Sequence, residues 1–276
     1  MIKSLFFDID GTLVSFETHQ IPRSTIDALE KAKAQGISIY ISTGRPISII
    51  TNLGDIKHLI DGYITTNGAY CFVGHDVVRC CPISPADVAV LLRDAVRHDY
   101  SCLIVGDRNV ALLNRQEIFD EVFLRTLAVK GIDLDLPVSR VIGSLGNGIL
   151  PDYHSDREPQ DILQMSPFFD ERHEKDIMRR LDQCQSGRWH PAFTDITSVN
   201  ADKGKGLKAM ARHLGIRMEE TMAFGDGGND IAIIQTAGTG VAMGNACDAL
   251  KEQADFVTDD VDHDGIAKAL EHFQVI

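Results

Sequence analysis

The sequence predicts an α/β protein: a doubly wound core with a parallel sheet, into which a smaller α+β domain is inserted. Short apolar runs alternate with amphipathic helical stretches near the amino terminus and again near the carboxyl terminus, and this alternation is typical of βαβ units. The stretch between them carries a hairpin signal instead. Hydrophobic residues make up 44% and charged residues 24% of the 276 residues, which is ordinary globular usage.

The amino-terminal part begins with the apolar run Ile2–Ile9, which predicts a buried strand. A helical stripe follows over Pro22–Gln35, and Ser24 is its expected N-cap. Two further strands are predicted at Ile37–Ser42 and Gly62–Thr66. Because a helix of this length connects the first two strands, we expect the strands to lie parallel in one sheet.

The same pattern returns in the carboxyl-terminal part. The predicted helices are Lys205–Leu214, Ile231–Ala237, Ala246–Gln253 and Gly265–Phe273, and the predicted strands are Met222–Phe224, Gly240–Met243 and Phe256–Thr258. The side chain of Asp264 is expected to cap the last helix. Together with the amino-terminal strands, these elements predict one core domain formed by residues 1–82 and 191–276.

The middle stretch, residues 83–190, is predicted to form the inserted α+β domain. It opens with a helix at Ser84–His98. The strands Cys102–Val105 and Val110–Leu113 flank the turn residues Gly106–Asn109, which indicates a hairpin. The remaining predicted elements are a helix at Ile118–Ala128, a strand at Ile162–Met165, a helix at Glu171–Gln183 and a strand at Gly187–His190.

Charge and composition argue against several classes of protein. Lys and Arg number 27 and Asp and Glu 40, and the net charge of −13 speaks against a binder of nucleic acid or of an anionic membrane. No apolar stretch is long enough for a secretory leader or a transmembrane helix. The six cysteines form no CxxC pair, so we expect reduced thiols in a cytoplasmic protein. The ten histidines are scattered, and surface positions are expected for them.

Two acids directly follow the first predicted strand. Asp8 and Asp10 alternate along an extended segment and are expected on the same side, at the carboxyl edge of the sheet. Oxygens in this arrangement can hold a hard divalent cation. A calcium loop is disfavoured because Thr12 and His19 stand where it needs an acid or Asn and a Glu. A solvated turn is the other alternative.

Two further segments could bind an anion. At the end of the second strand, Thr43 and Gly44 offer a hydroxyl, close backbone approach and free N–H groups, although an ordinary strand-to-helix turn uses the same residue types. Lys203 stands in the glycine-rich segment Asp202–Gly206. It could neutralise a phosphate or stabilise developing charge, and a solvated lysine is the alternative.

The segment Gly225–Asp230 again passes from a strand through glycines into a helix, and it adds Asp226 and Asp230. Four acids around one sheet edge would repel one another unless a cation neutralised them. Magnesium fits this requirement, because it takes few protein carboxylates, keeps several waters and favours phosphate substrates.

The order of these segments resembles the four motifs of the haloacid dehalogenase superfamily. The matching residues are Asp8–Thr12, Ser42–Arg45, Lys203–Gly204 and Gly225–Asp230. Thr66–Ala69 and Val241–Ala246 are similar to segments of its Cof-type sugar-phosphate phosphatase branch. The resemblance implies a Rossmann-like core and an inserted cap domain that selects the substrate. The interval between Thr43 and Lys203 is long enough to hold that domain.

The resemblance also implies a two-step phosphoryl transfer. Asp8 would be the nucleophile, and Asp10 would protonate the leaving alcohol and then activate water. Lys203 would bridge Asp8 and the transferring group and stabilise its charge. The residues that would bind the substrate phosphate are Thr43, Gly44, Lys203 and Asn229. Those that would hold Mg²⁺ are Asp8, Asp10, Asp226 and Asp230.

The predicted function is therefore a magnesium-dependent phosphatase that hydrolyses small phosphorylated metabolites, first among them sugar phosphates. A phosphomutase of the same superfamily and a non-catalytic protein that binds phosphorylated metabolites are the alternatives. The expected partner is a small phosphorylated substrate, with neither nucleic acid nor membrane. The oligomeric state stays open, and a monomer is compatible with the sequence.

Overall fold

The computed structural model describes residues 1–106, 110–113 and 161–276. The described residues form two compact units. The first unit comprises Met1–Arg79 and Ala201–Ile276, and the second comprises the described residues between Cys80 and Asn200. The predicted helix at Ile118–Ala128 lies outside the described residues.

Strands and helices are numbered in chain order. The strands are β1 (Ser4–Phe7), β2 (Ser38–Ser42), β3 (Ile60–Thr65), β4 (Tyr70–Val73), β5 (Asp76–Cys80), β6 (Cys102–Gly106), β7 (Val110–Leu113), β8 (Ile162–Pro167), β9 (Cys184–His190), β10 (Phe193–Ser198), β11 (Thr221–Gly225), β12 (Thr239–Ala242) and β13 (Phe256–Val257). The α-helices are α1 (Arg23–Ala34), α2 (Pro85–His98), α3 (Glu171–Met178), α4 (Lys203–Leu214), α5 (Ile231–Ile234), α6 (Asp248–Lys251) and α7 (Gly265–His272). None of the helices in the described ranges has both the length and the apolar character that crossing a membrane requires.

The sheet of the first unit has the order β13-β12-β11-β1-β2-β3-β4-β5. The pairs from β13 to β3 are all parallel, and β4 runs antiparallel to β3. On the central strand β1, Phe7 lies opposite Ile41 of β2 and Phe224 of β11. The predicted parallel core is therefore confirmed.

Successive residues of β1 face opposite helical layers. Phe7 belongs to a buried cluster with Leu29 of α1 and Leu270 of α7. Phe6 belongs to a second cluster, which includes Leu207 of α4. Each such apolar side chain contributes about 1.5–3 kcal/mol when it is fully buried. Helical layers on both faces confirm the predicted doubly wound arrangement.

The two predicted helix caps are wrong for a shared reason. Helix α1 begins after Pro22, so Ser24 lies inside its first turn, and no side chain caps it. Helix α7 begins after Asp264, but the Asp264 side chain does not cap it either. The Ser24 hydroxyl instead donates to Asp264 Oδ1 at 2.5 Å. Both polar groups are used in a contact between distant parts of the chain, which local spacing does not reveal.

The second unit contains an antiparallel sheet of order β7-β6-β8-β10-β9. The predicted hairpin is present, with Val105 of β6 opposite Val110 of β7. Helix α2 begins where the sequence predicts, because Ser84 accepts a hydrogen bond from the Asp87 N–H at 3.1 Å. Apolar residues of α2 and α3 join one face of this sheet in a third buried cluster.

The carboxyl-terminal limit of the second unit differs from the predicted one. The sequence assigned residues from 191 onward to the core, whereas β10 (Phe193–Ser198) pairs on both sides with strands of the second sheet. The chain therefore returns to the first unit only at Ala201. Strands β4, β5 and β10 were not predicted from the sequence.

Candidate active site

Four loops meet at the carboxyl ends of neighbouring parallel strands. Asp8 follows β1, Thr43 follows β2, Asn67 follows β3 and Asp226 follows β11. These four strands are adjacent in the sheet. Parallel pairing therefore carries the loops to the same edge, which is where open α/β sheets bind ligands.

Lys203 is the first residue of α4 and is completely buried. Its Nζ donates to Asp8 Oδ1 at 2.6 Å and to Asp230 Oδ1 at 2.5 Å. Burial alone would lower the pKa of Lys203, but the charges of Asp230 and Asp8 outweigh it and raise that pKa. The lysine therefore carries a fixed positive charge beside the Asp8 carboxylate.

Asp230 uses both of its carboxylate oxygens within the protein. Oδ1 accepts from Lys203, and Oδ2 accepts from the backbone N–H groups of Asp226 (3.1 Å) and Gly227 (3.0 Å). The residue is fully buried. Asp230 thereby positions both Lys203 and the loop that carries Asp226.

Asp8 and Asp226 have strongly perturbed carboxyl groups. Burial, with smaller contributions from neighbouring carboxylates, raises the pKa of Asp8 to about 7 although Lys203 opposes the shift. Burial and the charges of Asp8 and Asp230 raise the pKa of Asp226 to about 8, although Thr12 donates to Asp226 Oδ1 at 3.2 Å. Side-chain oxygens of Asp8, Asp226 and Asp230 lie within 4.8 Å of one another. This donor set fits a hard divalent cation, whose positive charge would favour the ionised carboxylates and so oppose both shifts.

Asp10 lies in a tight loop and faces a buried arginine. The turn that follows Asp10 depends on Gly11, whose φ is +79° and whose missing side chain leaves room for the Asp226 carboxylate. Arg45 Nε donates to Asp10 Oδ2 at 2.9 Å, and Arg45 Nη2 contacts Asp10 Oδ1. The guanidinium therefore contacts both oxygens of Asp10 in a bidentate ion pair.

The loop after β2 contains Thr43 and Gly44, which the sequence predicts to bind an anion, and it is called the anion seat below. Thr43 is buried, and its Oγ1 accepts from the Arg45 N–H at 3.1 Å, so its hydroxyl hydrogen stays available as a donor. The N–H of Gly44 makes no hydrogen bond to the described residues. Asn229 Nδ2 reaches across from the loop after β11 and donates to Asn67 Oδ1 at 3.1 Å.

All the residues predicted for the site thus belong to the first unit, where Lys203 lies at the start of α4 and the others lie in the segments that follow β1, β2 and β11. Three contributors were missed or left without a role. Thr12, Arg45 and Asn67 act through contacts between loops, and these contacts have no signature in local sequence. Their position inside or beside the quoted motifs was the one available signal.

A second polar cluster lies in the second unit, where scattered surface histidines were expected. Asp94 of α2 is 2% exposed, and its oxygens lie 2.6 Å from both His173 Nε2 and Arg180 Nη1. The Tyr100 hydroxyl donates to it at 3.1 Å, and His98 Nε2 lies 3.8 Å away. Because the carboxylate is already paired with a guanidinium, this cluster ties α2 to α3 and the residues that follow it.

Carboxylates that face a buried lysine, beside an anion seat at the edge of a parallel sheet, define a site for phosphoryl transfer. The sequence profile of the haloacid dehalogenase-like hydrolases matches residues 5–270, and the chain belongs to that family. The predicted family, fold class and class of enzyme, a hydrolase of phosphoric monoesters, are confirmed.

Relatives match over the whole chain. The Bacillus subtilis (strain 168) protein YkrA is 32% identical over 276 residues, covering 99% of this chain and 98% of that protein. The haloacid dehalogenase subclass IIB sugar phosphatase BT4131 is 41% identical with a TM-score of 0.82, over 99% of this chain and 100% of that one. BT1666 of Bacteroides thetaiotaomicron, a phosphatase of the same superfamily, is 34% identical with a TM-score of 0.79, over 100% and 96% of the two chains.

Proposed function

We propose that this hydrolase is a magnesium-dependent phosphatase of small phosphorylated metabolites, in the first place sugar phosphates, and that it works through an aspartyl-phosphate on Asp8. The observation that carries the proposal is the buried contact of Lys203 with Asp8 at 2.6 Å. The substrate class is supported by the similarity to the sugar phosphatase BT4131.

Asp8 is the nucleophile. Lys203 holds its Oδ1, so the other oxygen is left to attack phosphorus, which forms the Asp8–phosphorus bond and breaks the bond to the leaving alcohol oxygen. The positive charge of Lys203 offsets the negative charge that builds up on the transferring group. In the second step water attacks phosphorus, and the Asp8 carboxylate is released.

Asp10 moves the protons in both steps. It gives a proton to the leaving alcohol oxygen in the first step and takes one from the attacking water in the second. Its bidentate pair with Arg45 must open for this, because both of its oxygens are held by the guanidinium. Arg45 is therefore a positioning residue, which holds the Asp10 carboxyl in place when it is not transferring a proton.

The substrate phosphate is bound by the loop after β2 and its neighbours. The Thr43 hydroxyl and the Gly44 N–H supply hydrogen-bond donors, and Lys203 supplies the charge. Asn229 contributes an amide at the rim, where it is exposed.

Mg²⁺ would be held by Asp8, the backbone carbonyl of Asp10, Asp226 and, as a supporting group, Asp230. Phosphatases of this family generally use this ion. When bound, it neutralises the clustered carboxylates and the phosphate charge. Asp230 supports the site through its bonds to Lys203 and to the Asp226 N–H, since both of its oxygens are engaged there.

Domain structure and composition support proposals for the second unit, the partner and the location of the protein. We assign the second unit the role of the cap that selects the leaving group. The net charge of −13 supports a small phosphorylated partner rather than nucleic acid or a membrane. None of the six cysteines, all of which are among the described residues, forms a disulfide bond, and this supports a cytoplasmic location.

The test is phosphate release from a panel of phosphorylated sugars with Mg²⁺, for the wild type and the Asp8→Asn variant. We expect release by the wild type and a loss of kcat of at least roughly 10³-fold in Asp8→Asn, because the amide cannot act as the nucleophile. Acid quenching followed by mass spectrometry should find a phosphoryl group on the peptide that contains Asp8.

Asp262→Asn is the matched control, since Asp262 is an exposed carboxylate of the same unit, and its kcat should be unchanged. Isomerised sugar phosphates without phosphate release would favour the phosphomutase. Substrate binding without either reaction would favour the non-catalytic protein. Full activity in Asp8→Asn would refute the mechanism.

A further inference from the structure

Three successive residues of the loop after β3 adopt the left-handed conformation. The φ angles are 52° at Thr66, 51° at Asn67 and 84° at Gly68. For a β-branched residue such as threonine this conformation is unfavourable, and it persists only where the surroundings impose it. Asparagine tolerates it, so Asn67 stands at a position that suits its backbone preference.

Backbone hydrogen bonds join this loop to the predicted anion seat. The Thr66 N–H donates to the Arg45 carbonyl and the Asn67 N–H to the Thr43 carbonyl, both at 3.1 Å. The Asn67 backbone is therefore hydrogen-bonded directly to Thr43, the residue whose hydroxyl we assign to phosphate binding. Two of the three residues with positive φ, Thr66 and Asn67, are thus the ones that carry these hydrogen bonds.

The Asn67 side chain lies against Gly44. A Cβ on Gly44 would stand 3.1 Å from Asn67 Oδ1 and 3.3 Å from its Nδ2, so the amide rests on the Gly44 backbone. Asn229 Nδ2 donates to Asn67 Oδ1 at 3.1 Å and fixes the amide orientation. Asn67 Nδ2 makes no hydrogen bond to the residues that the structure describes, and the side chain is half-buried.

We propose that Asn67 is a substrate-binding residue whose Nδ2 donates a hydrogen bond to a phosphoryl oxygen, with Asn229 holding the amide in that orientation. The ligand is the dianionic phosphate of a monoester. The amide would add a third donor beside the Thr43 hydroxyl and the Gly44 N–H, and a phosphate dianion has several oxygens that accept hydrogen bonds. The inference rests on the proposed function, since it adds one more hydrogen-bond donor to the anion seat that binds the substrate phosphate there.

The experiment compares equilibrium binding of inorganic phosphate, by calorimetry in the presence of Mg²⁺, with KM and kcat for p-nitrophenyl phosphate. Asn67→Gly removes the amide and keeps a residue that accepts a positive φ, whereas Asn67→Asp keeps the shape and replaces the donor by a negative charge. Gln274→Gly is the control, because Gln274 is exposed, has a φ of 55° and also belongs to the first unit.

We expect Asn67→Gly to raise the Kd for inorganic phosphate and the KM roughly 10- to 100-fold, as for loss of a hydrogen bond to a charged group. Asn67→Asp should raise both further, and Gln274→Gly should change neither. A Kd for phosphate that stays at the wild-type value in both Asn67 variants overturns the inference, whatever happens to Tm.

The binding measurement separates this inference from the proposed function. A wild type that binds phosphate more tightly than Asn67→Gly but releases none from any sugar phosphate supports the inference and refutes the hydrolase mechanism. Turnover by the wild type with an unchanged Kd in Asn67→Gly refutes the inference alone. A wild type that does not bind phosphate refutes both.

Discussion

Lys203 occupies a position that ordinary helix chemistry disfavours. It is a buried cation, and it stands at the amino-terminal end of α4, where the helix dipole favours negative charge. Its contacts with Asp8 and Asp230 offset both costs. Because a buried ion pair adds little net stability, this position supports the role on the transferring group that we propose for Lys203.

The raised carboxyl pKa values predict how the metal-free protein responds to pH. Burial raises the pKa of Asp8 to about 7 and that of Asp226 to about 8 in the folded state, whereas both lie near 4 in the unfolded chain. Between these values the folded state binds more protons than the unfolded state, so the free energy of unfolding falls as pH rises from about 4 to about 8. Mg²⁺ should reverse this loss, and its effect on Tm should be larger at pH 8 than at pH 5.

Calorimetric Tm values with EDTA and with Mg²⁺, at both pH values, check this prediction. Asp226→Asn should raise the metal-free Tm at pH 8 by a few degrees, since about 1 kcal/mol corresponds to about 2–4 °C at this size, and should weaken the Mg²⁺ effect. Asp262→Asn serves as the control. An equal Mg²⁺ effect at pH 5 and pH 8 would contradict the prediction.

What the sequence revealed about the site depends on the range of each interaction. Asp8, Lys203 and Asp226 could be identified because each stands in a short segment with a characteristic local pattern. Local patterns could not reveal the ion pair of Arg45 with Asp10 or the hydrogen bond of Asn229 to Asn67, because each joins loops that follow different strands. The burial that raises the pKa of Asp8 is likewise a property of the assembled fold.

At the scale of elements, strands were better predicted than helix ends. Runs such as Ile37–Ser42 carry their own apolar signal, and β2 forms there. The expected helices at Ile231–Ala237 and Ala246–Gln253 shrink to the single turns α5 and α6. A single turn gains little from its own hydrogen bonds and depends on packing, which the local sequence does not contain.

Asp94 links two elements of the second unit and predicts an acid-dependent loss of stability. Burial alone would raise the pKa of Asp94, but hydrogen bonds from His173, Arg180 and Tyr100 outweigh it and hold that pKa below its usual value. The stabilisation is therefore complete above the unfolded pKa near 4 and is lost as pH falls through the lower folded pKa. Asp94→Asn should cost about 1–3 kcal/mol at pH 7, because it weakens hydrogen bonds to charged groups.

Urea unfolding at pH 7 and at pH 3 measures this contribution. The difference between wild type and Asp94→Asn should shrink at the lower pH, because pH 3 lies below the pKa near 4 of an aspartate in the unfolded chain, where the stabilisation by the paired carboxylate is no longer complete. Asp176→Asn is the matched control on α3, since Asp176 forms an exposed pair with Arg179 at 3.3 Å and should cost less than about 1 kcal/mol. A difference that is the same at both pH values would refute the role assigned to the Asp94 carboxylate.

At the scale of the whole molecule, the chain builds its core from two distant segments. The strands that carry the site come from both: β1, β2 and β3 precede the second unit, and β11 follows it. Every described hydrogen-bonded neighbour of these strands also lies in the first sheet. The second sheet likewise contains only strands of the inserted stretch, so neither sheet depends on strands of the other for its pairing.

This separation predicts that the core folds without the insertion. In a variant whose residues 82–200 are replaced by a short glycine–serine linker, all eight strands of the first sheet are retained together with α1 and α4 to α7. The remaining chain has an ordinary domain size. We expect cooperative unfolding and a retained site, because Asp8, Lys203 and Asp226 all belong to the first unit.

The same variant tests where specificity resides. If the second unit is the cap that selects the leaving group, its removal should lower the ratio of kcat/KM for the best sugar phosphate to kcat/KM for p-nitrophenyl phosphate, by roughly tenfold for each 1.4 kcal/mol of lost discrimination. The core variant carrying Asp8→Asn controls for contaminating phosphatase. A folded core that keeps the wild-type ratio would place specificity in the first unit, and a core that does not unfold cooperatively would show that the two units depend on each other for stability.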